Sequence, residues 1–120
     1  MRKEIRQNNR RTGTSYEQAA GYYLEQSGYV ILEYNYRCLV GEIDIIAREG
    51  EYLVFSEVKY RRDQRKGSPL EAVDARKQKI LYKCADWYLA EHNLMDIPCR
   101  FDVIGIQGSG IVHIRDAFCK

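Results

Sequence analysis

Glu42, Asp44, Glu57 and Lys59 interrupt the stretch GEIDIIAREGEYLVFSEVKYR, residues 41–61, in which two β-prone apolar runs flank a Glu-Gly turn. Side chains alternate faces along a strand, so Glu42, Asp44 and Ile46 share one side of the first run, and Phe55, Glu57 and Lys59 one side of the second. An even-numbered turn at Glu49-Gly50 sets Asp44 against Phe55 or Glu57, which gathers Asp44, Glu57 and Lys59 on one face. Neighbours on such a face lie about 4.5–8 Å apart, a span that a bridging divalent cation can use. Two carboxylates helped by a strand carbonyl and waters make a hard oxygen site suited to Mg²⁺ or Mn²⁺. Lys59 can hold or deprotonate a water, or stabilise charge on a phosphate oxygen. Phosphodiester hydrolysis is the reaction this set fits.

An exposed salt-bridge ladder would use the same residue types. Here, however, Ile43, Ile45, Val54 and Val58 are expected opposite the acids, with Ile46 and Phe55 beside them. Neither side of such a hairpin is freely solvated, and partly buried acids without a ligand are costly.

The hairpin needs a scaffold. Thr14-x-x-Glu17 has capping-box spacing and opens a helix over about 15–27, ended by Gly28. YVILEYNYR, 29–37, reads as a strand, followed by hairpin strands over 38–47 and 52–60 and a basic loop over 61–67. Ser68-Pro69-Leu70-Glu71 starts a helical region over 69–92, recapped at Asp74, whose apolar stripe is Ile80, Leu81, Cys84, Trp87 and Tyr88. CRFDVIGIQ and GIVHIRDAF are two short strands around a Gly-Ser-Gly turn. The order αβββαββ predicts an α/β fold, a mixed sheet flanked by helices.

Composition limits the partners. The 120 residues suit one domain, expected over 13–120 behind a flexible basic arm at 1–12. Net charge is only +2, but segment 1–16 sets five Lys or Arg against Glu4, and segment 59–83 sets nine against Asp63, Glu71 and Asp74. Two basic segments around an acidic middle suit a polyanion approached through Lys and Arg. No apolar run approaches the ~18 residues of a bilayer span, and the basic N-terminus lacks a signal-type apolar core, so a cytoplasmic protein without a membrane partner is expected. Cys38, Cys84, Cys99 and Cys119 lack metal-site spacing and are expected as reduced thiols. His92 and His113 are isolated and are expected at the surface or at helix ends. Tyr22, Tyr23, Tyr29, Tyr34 and Tyr36 fall on core-forming elements, where packing is expected over base stacking.

Asp44, followed thirteen residues later by Glu57-Val58-Lys59, resembles the D…E-x-K signature of the restriction-endonuclease-like nucleases. Its context is more specific: GEIDIIA, LVFSEVKYR, KGSPLEAV with Lys77 after it, and RFDVIGI closely resemble the bacterial YraN family over about residues 13–106. Those small proteins are related by fold to archaeal Holliday junction resolvases. The resemblance implies a restriction-endonuclease-like fold in which Asp44, Glu57 and the Val58 carbonyl hold Mg²⁺ or Mn²⁺ and Lys59 is the catalytic lysine. Glu17 matches an acid that reaches the metal through water; its alternative role is the capping box alone. Gln78-x-x-x-Tyr82 resembles an element placed beside the active site, and Glu42 is a supporting ligand or the partner of a basic residue. Ser56 replaces an apolar residue of the family and faces the other side.

With such a site, Arg61, Arg62, Arg65 and Lys66 leave the strand next to Lys59, while Arg10 and Arg11 precede the helix of Glu17. Together with Lys77 they are expected on nucleic-acid phosphates. The expected activity is Mg²⁺-dependent endonuclease cleavage of DNA, with branched or damaged DNA as the substrate pointed to. The alternative is a non-catalytic nucleic-acid or protein-binding module, and a homodimer would supply the two symmetric sites of a junction resolvase.

Overall fold

A computed structural model describes residues 14–61, 68–108 and 110–119. Helix α1 (Ser15–Gln26) begins at Thr14, whose hydroxyl accepts from the Glu17 N–H at 3.1 Å while Glu17 Oε1 accepts from the Thr14 N–H at 2.9 Å. Both bonds of the capping box therefore form, satisfying two donors that a helix start leaves open. Strands β1 (Val30–Cys38), β2 (Gly41–Glu49) and β3 (Tyr52–Arg61) follow as an antiparallel meander. A 3₁₀ turn (Pro69–Ala72) and helix α2 (Ala75–Glu91) cross to β4 (Cys99–Gln107), which pairs parallel to β3, and β5 (Gly110–Phe118) closes the sheet antiparallel to β4. The sheet order is β1-β2-β3-β4-β5, mixed as expected from the order αβββαββ.

The expected break in the second helical region is present. Ser68 and Pro69 start the 3₁₀ turn, and the Asp74 side chain accepts from the Lys77 N–H at 2.9 Å to cap α2. Helix α2 covers one face of the sheet, where Leu81, Cys84 and Tyr88 pack on Tyr36, Ile46, Phe55 and Val103. Trp87 departs from the expected stripe: it is 43% exposed, one position off the buried face of the helix. Helix α1 covers the other face, with Ala20 and Leu24 on Ile45, Val54 and Ile104. Tyr22 also departs from expectation, being 65% exposed on the outside of α1. Covered on both faces, β4 is buried along nearly its whole length, which fits its apolar residues Phe101, Val103, Ile104 and Ile106. No helix among the described residues is long and apolar enough to cross a membrane.

Two features open the sheet at one end. The β2–β3 pairing stops at Ile45↔Ser56, whereas β3–β4 continues to Arg61↔Gln107 and β1–β2 to Cys38↔Gly41, so the β1–β2 pair and β3 part like a fork. At the same level strict alternation fails. Ile43 belongs to the α2-side core and Ile45 to the α1-side core, although both were expected on one face. Strand β1 changes facing at the same level, with Tyr34 on the α1 side and Tyr36 on the α2 side, and Asn35 between them has φ 53°. A left-handed residue, tolerated by asparagine, reverses the facing of the chain beyond it.

Gly105, opposite Lys59 on β4, lets the 3₁₀ turn approach the fork: a Cβ there would stand 2.1 Å from Pro69 Cγ. The proline ring has little freedom to retreat. Gly105→Ala is therefore expected to cost about 1–3 kcal/mol in urea unfolding, and a change near zero would show that the turn is not seated on the sheet.

A buried polar cluster with no sequence motif gathers around Asp102, which pairs with Ser56. Asp102, fully buried, accepts from Arg100 Nε at 3.1 Å and from the Asp116 N–H at 3.0 Å, and sits 2.8 Å from His113 Nε2. Tyr29 joins Asp102 and Arg100, Tyr23 meets His113 Nδ1 at 3.0 Å, and Arg100 reaches Glu49 at 2.7 Å. His113 is thus a buried network member, not the isolated surface residue expected from its spacing. His92 does cap the end of α2. The four cysteines are free thiols, with Cys38 and Cys84 Sγ 3.1 Å apart.

Candidate active site at the strand fork

Three carboxylates meet where β2 and β3 separate. Continuing the pairing by one step brings Asp44 opposite Glu57, one of the two partners expected for it. The strands no longer exchange backbone bonds there. Instead Asp44 Oδ2 accepts from the Val58 N–H at 2.8 Å, replacing the missing ladder bond and fixing the carboxylate beside β3. Glu17 comes in from the first turn of α1 and is buried. Its Oε1 also accepts from Asn35 Nδ2 at 3.0 Å, and the same amide donates to Glu42 Oε2 at 3.1 Å. Asn35 therefore both bends β1 and ties two acids together. Glu17 keeps its capping role while lying next to Asp44, so the two alternatives weighed for it are compatible.

Burial and the neighbouring acids set the electrostatics of the fork. Burial raises the Asp44 carboxyl to about 8, helped by the Glu57 charge and by the charge and hydrogen bond of Glu17, against the opposing Val58 N–H bond. Glu57 is only 3% exposed. Its Oε2 lies 3.4 Å from both Lys59 Nζ and Lys77 Nζ, while its Oε1 is buried without a hydrogen-bond partner among the described residues. Such an orphaned carboxylate oxygen is rare and calls for an explanation. Although the three acids are neighbours, no group of three or more His, Cys, Asp or Glu side chains among the described residues is arranged to hold a metal ion. The side chains of a chemistry that could serve a hard cation are the Asp44 and Glu57 carboxylates.

The remaining expected site residues separate into two groups. Lys77, expected on phosphates, is brought to Glu57 because Asp74 starts α2 three residues earlier and aims its first turn at β3. Glu42 pairs with Arg37 at 3.8 Å as well as with Asn35, at the rim of the fork. Gln78 donates to the Val73 carbonyl at 3.0 Å, holding the 3₁₀ turn to α2. Tyr82 packs edge-on to Phe101 and Phe118 and donates to the Cys119 carbonyl at 2.6 Å. Those contacts belong to the α2-side core. Ser56 faces away from the acids and its buried hydroxyl has no hydrogen-bond partner. Arg61 ends β3 beside the fork, whereas Arg10, Arg11, Arg62, Arg65 and Lys66 lie outside the described residues.

Asn35 was not singled out from the sequence. Its signal was available: an asparagine is out of place within YVILEYNYR, and asparagine is one of the few residues that enter the left-handed region readily.

Comparison with known proteins agrees with the sequence resemblance. The model of "Uncharacterised protein family UPF0102" matches residues 16–106. A UPF0102 protein of Lachnoclostridium phytofermentans is 46% identical over 112 residues, covering 92% of this chain and 95% of that protein. One from Syntrophus aciditrophicus is 48% identical over 114 residues, covering 92% and 90%, and one from Geotalea uraniireducens is 44% identical over 123 residues, covering 98% and 97%. With a matched region that spans α1 to β4 and includes every residue of the fork, the chain belongs to the UPF0102 family, the YraN family that its motifs resemble.

Proposed function

We propose that this protein is a metal-dependent endonuclease that hydrolyses DNA phosphodiesters at the β2–β3 fork. The observation that carries the reading is the buried Asp44–Glu57 pair, with Asp44 raised to about 8 and Glu57 Oε1 left without a partner. A sheet gains nothing in stability from facing acids that repel each other in a poorly solvated cleft. A divalent cation held by Asp44, Glu57 and the Val58 carbonyl would supply a Lewis acid and a more acidic bound water. Lys59, partly exposed and 3.4 Å from Glu57, is placed to orient the attacking water or to neutralise charge on a phosphate oxygen. Lys77 holds the same Glu57 oxygen from α2 and so positions the ligand. Glu17 and Asn35 hold Asp44 and Glu42 from the side of α1 and β1. Arg61 at the end of β3 suits a flanking phosphate, giving backbone contacts with little base reading and a steep loss of affinity with salt.

The test uses purified protein with end-labelled duplex, flap and four-way DNA in Mg²⁺ or Mn²⁺. Wild type is expected to cut. Lys59→Ala should lose about 10²–10⁴-fold in rate, the range for a positioned proton-transfer group, while keeping most of its DNA affinity. Cutting that survives both Lys59→Ala and Asp44→Asn would come from a contaminating nuclease, and binding without any cutting would leave a nucleic-acid-binding module on the same fold.

A further inference from the structure

An aromatic pair stands at the mouth of the fork and takes no part in the carboxylate site. Tyr16, the residue before Glu17, and Tyr60, the residue after Lys59, stack with ring centroids 4.1 Å apart and planes 13° from parallel. They remain 42% and 40% exposed. The comparable stacks Phe55–Phe101 and Phe101–Phe118 lie in the α2-side core, where close packing accounts for them. On the α1 side Ala20, Leu24, Ile45, Val54 and Ile104 already close the core without aromatic help from Tyr16 or Tyr60.

Position gives the pair its use. Tyr60 and Lys59 leave β3 on opposite faces, but β2 no longer pairs with β3 beyond Ser56, so both faces border the open fork. One side of the opening carries Lys59 and Lys77, and the other carries the two rings. A parallel stack occupies one face of each ring, and both residues remain exposed to solvent. Every nucleobase has a π-face that such a surface can take up, whatever its identity, provided that the base is not already stacked and paired in a duplex.

We infer that Tyr16 and Tyr60 form a stacking platform for an unpaired base of a DNA strand whose neighbouring phosphate enters the Asp44–Glu57–Lys59 site. The inference rests on the hydrolase reading for that phosphate and adds a substrate class: strands with unpaired bases beside the cut, as in single-stranded, flapped or branched DNA. Specificity for structure then follows without reading sequence. Intact duplex offers no free base face.

The experiment is a fluorescence-anisotropy titration of the full chain in EDTA, with a labelled 12-nucleotide deoxythymidine strand and with the same strand annealed to its complement. Tyr60→Leu and Tyr16→Leu should each weaken single-strand binding about tenfold, the scale of losing one base stack, and change duplex binding less than twofold. Tyr60→Phe should bind as wild type does because it keeps the ring, and Tyr22→Leu, on the exposed outer face of α1, should be without effect. Equal losses on both DNAs, an equal loss in Tyr22→Leu, or no loss in either leucine variant with unchanged thermal unfolding would overturn the platform. A cleavage assay in Mg²⁺ separates the two readings. Ring-dependent single-strand binding without cutting leaves the platform standing and removes the hydrolase; cutting that is indifferent to both leucine variants does the reverse.

Discussion

Asp44→Asn is expected to abolish DNA cleavage and, in the same protein, to raise the stability of the metal-free fold at neutral pH. Activity should fall by roughly 10²–10³-fold or more, the scale of losing one charged group aimed at developing charge. The stability gain has a separate cause. Asp44 is lifted from its ordinary 3.8 to about 8 in the folded protein, chiefly by burial and then by Glu57. Unfolding therefore releases a proton across that interval, and folded-state stability falls as pH rises from about 4 through about 8. Asparagine keeps an oxygen for the Val58 N–H and carries no charge, so it removes the penalty without breaking the bond. A gain of about 1–2 kcal/mol at pH 7, typical of relieving one strained functional group, should show in urea unfolding in EDTA, and should shrink toward zero below pH 4. If the variant is less stable than wild type at pH 7, the fork is an ordinary satisfied polar contact and the argument for a bound cation fails. Loss of cutting together with gain of stability is the signature that separates a ligand site from a structural one.

Asp102→Ala is expected to have the opposite profile, severe for stability and small for chemistry. Burial alone would raise the Asp102 carboxyl, but hydrogen bonds from His113, Arg100 and the Asp116 N–H outweigh it and hold the group at about 2. Removing it strands Arg100, whose side chain is buried and would keep, among the described residues, Glu49 as its anionic partner. An uncompensated buried charge costs about 3–5 kcal/mol, and chemical denaturation of the two proteins side by side would measure it. The pH dependence has a definite sign. A depressed carboxyl stabilises the fold above its unfolded value near 4 and loses that contribution as pH falls through about 2. Wild type should lose this increment in acid, and Asp102→Ala should not. A cost below about 1 kcal/mol would mean that the cluster relaxes around the missing carboxylate. Asp102 pairs with Ser56, one step from Glu57 along β3, but its partners are Tyr29, Arg100, His113 and the Asp116 N–H, which lie outside the carboxylate site, so cleavage per folded molecule should change little.

Local physics decided much of the architecture. The Thr14 and Asp74 caps, the proline at the start of the 3₁₀ turn and the β-prone runs around Glu-Gly and Gly-Ser-Gly each act within a few residues. A reading along the chain accordingly recovers both helices and five strands nearly to their ends, including the break before α2. Side-chain facing was less secure. Strict alternation predicted one face for Ile43 and Ile45, yet they lie on opposite sides, at the level where the neighbouring strand carries a left-handed asparagine. Trp87 and Tyr22 show the same limit, since an apolar type at helical spacing does not say how wide the buried stripe is.

From the sequence alone come the element order, the β2–β3 hairpin on which Asp44 and Glu57 lie, and the family to which the D…E-x-K context belongs. These rest on periodicity, caps and turns, which are short-range. Only the tertiary structure decided that Glu17 and Lys77 arrive at the same fork from two helices on opposite faces, that Asn35 links Glu17 to Glu42, and that His113 and Asp102 are buried together. Each of those contacts joins residues on different elements, and their closeness depends on where the β1–β2 pair parts from β3 and on how the helices pack over the gap. No local preference of the chain encodes that separation.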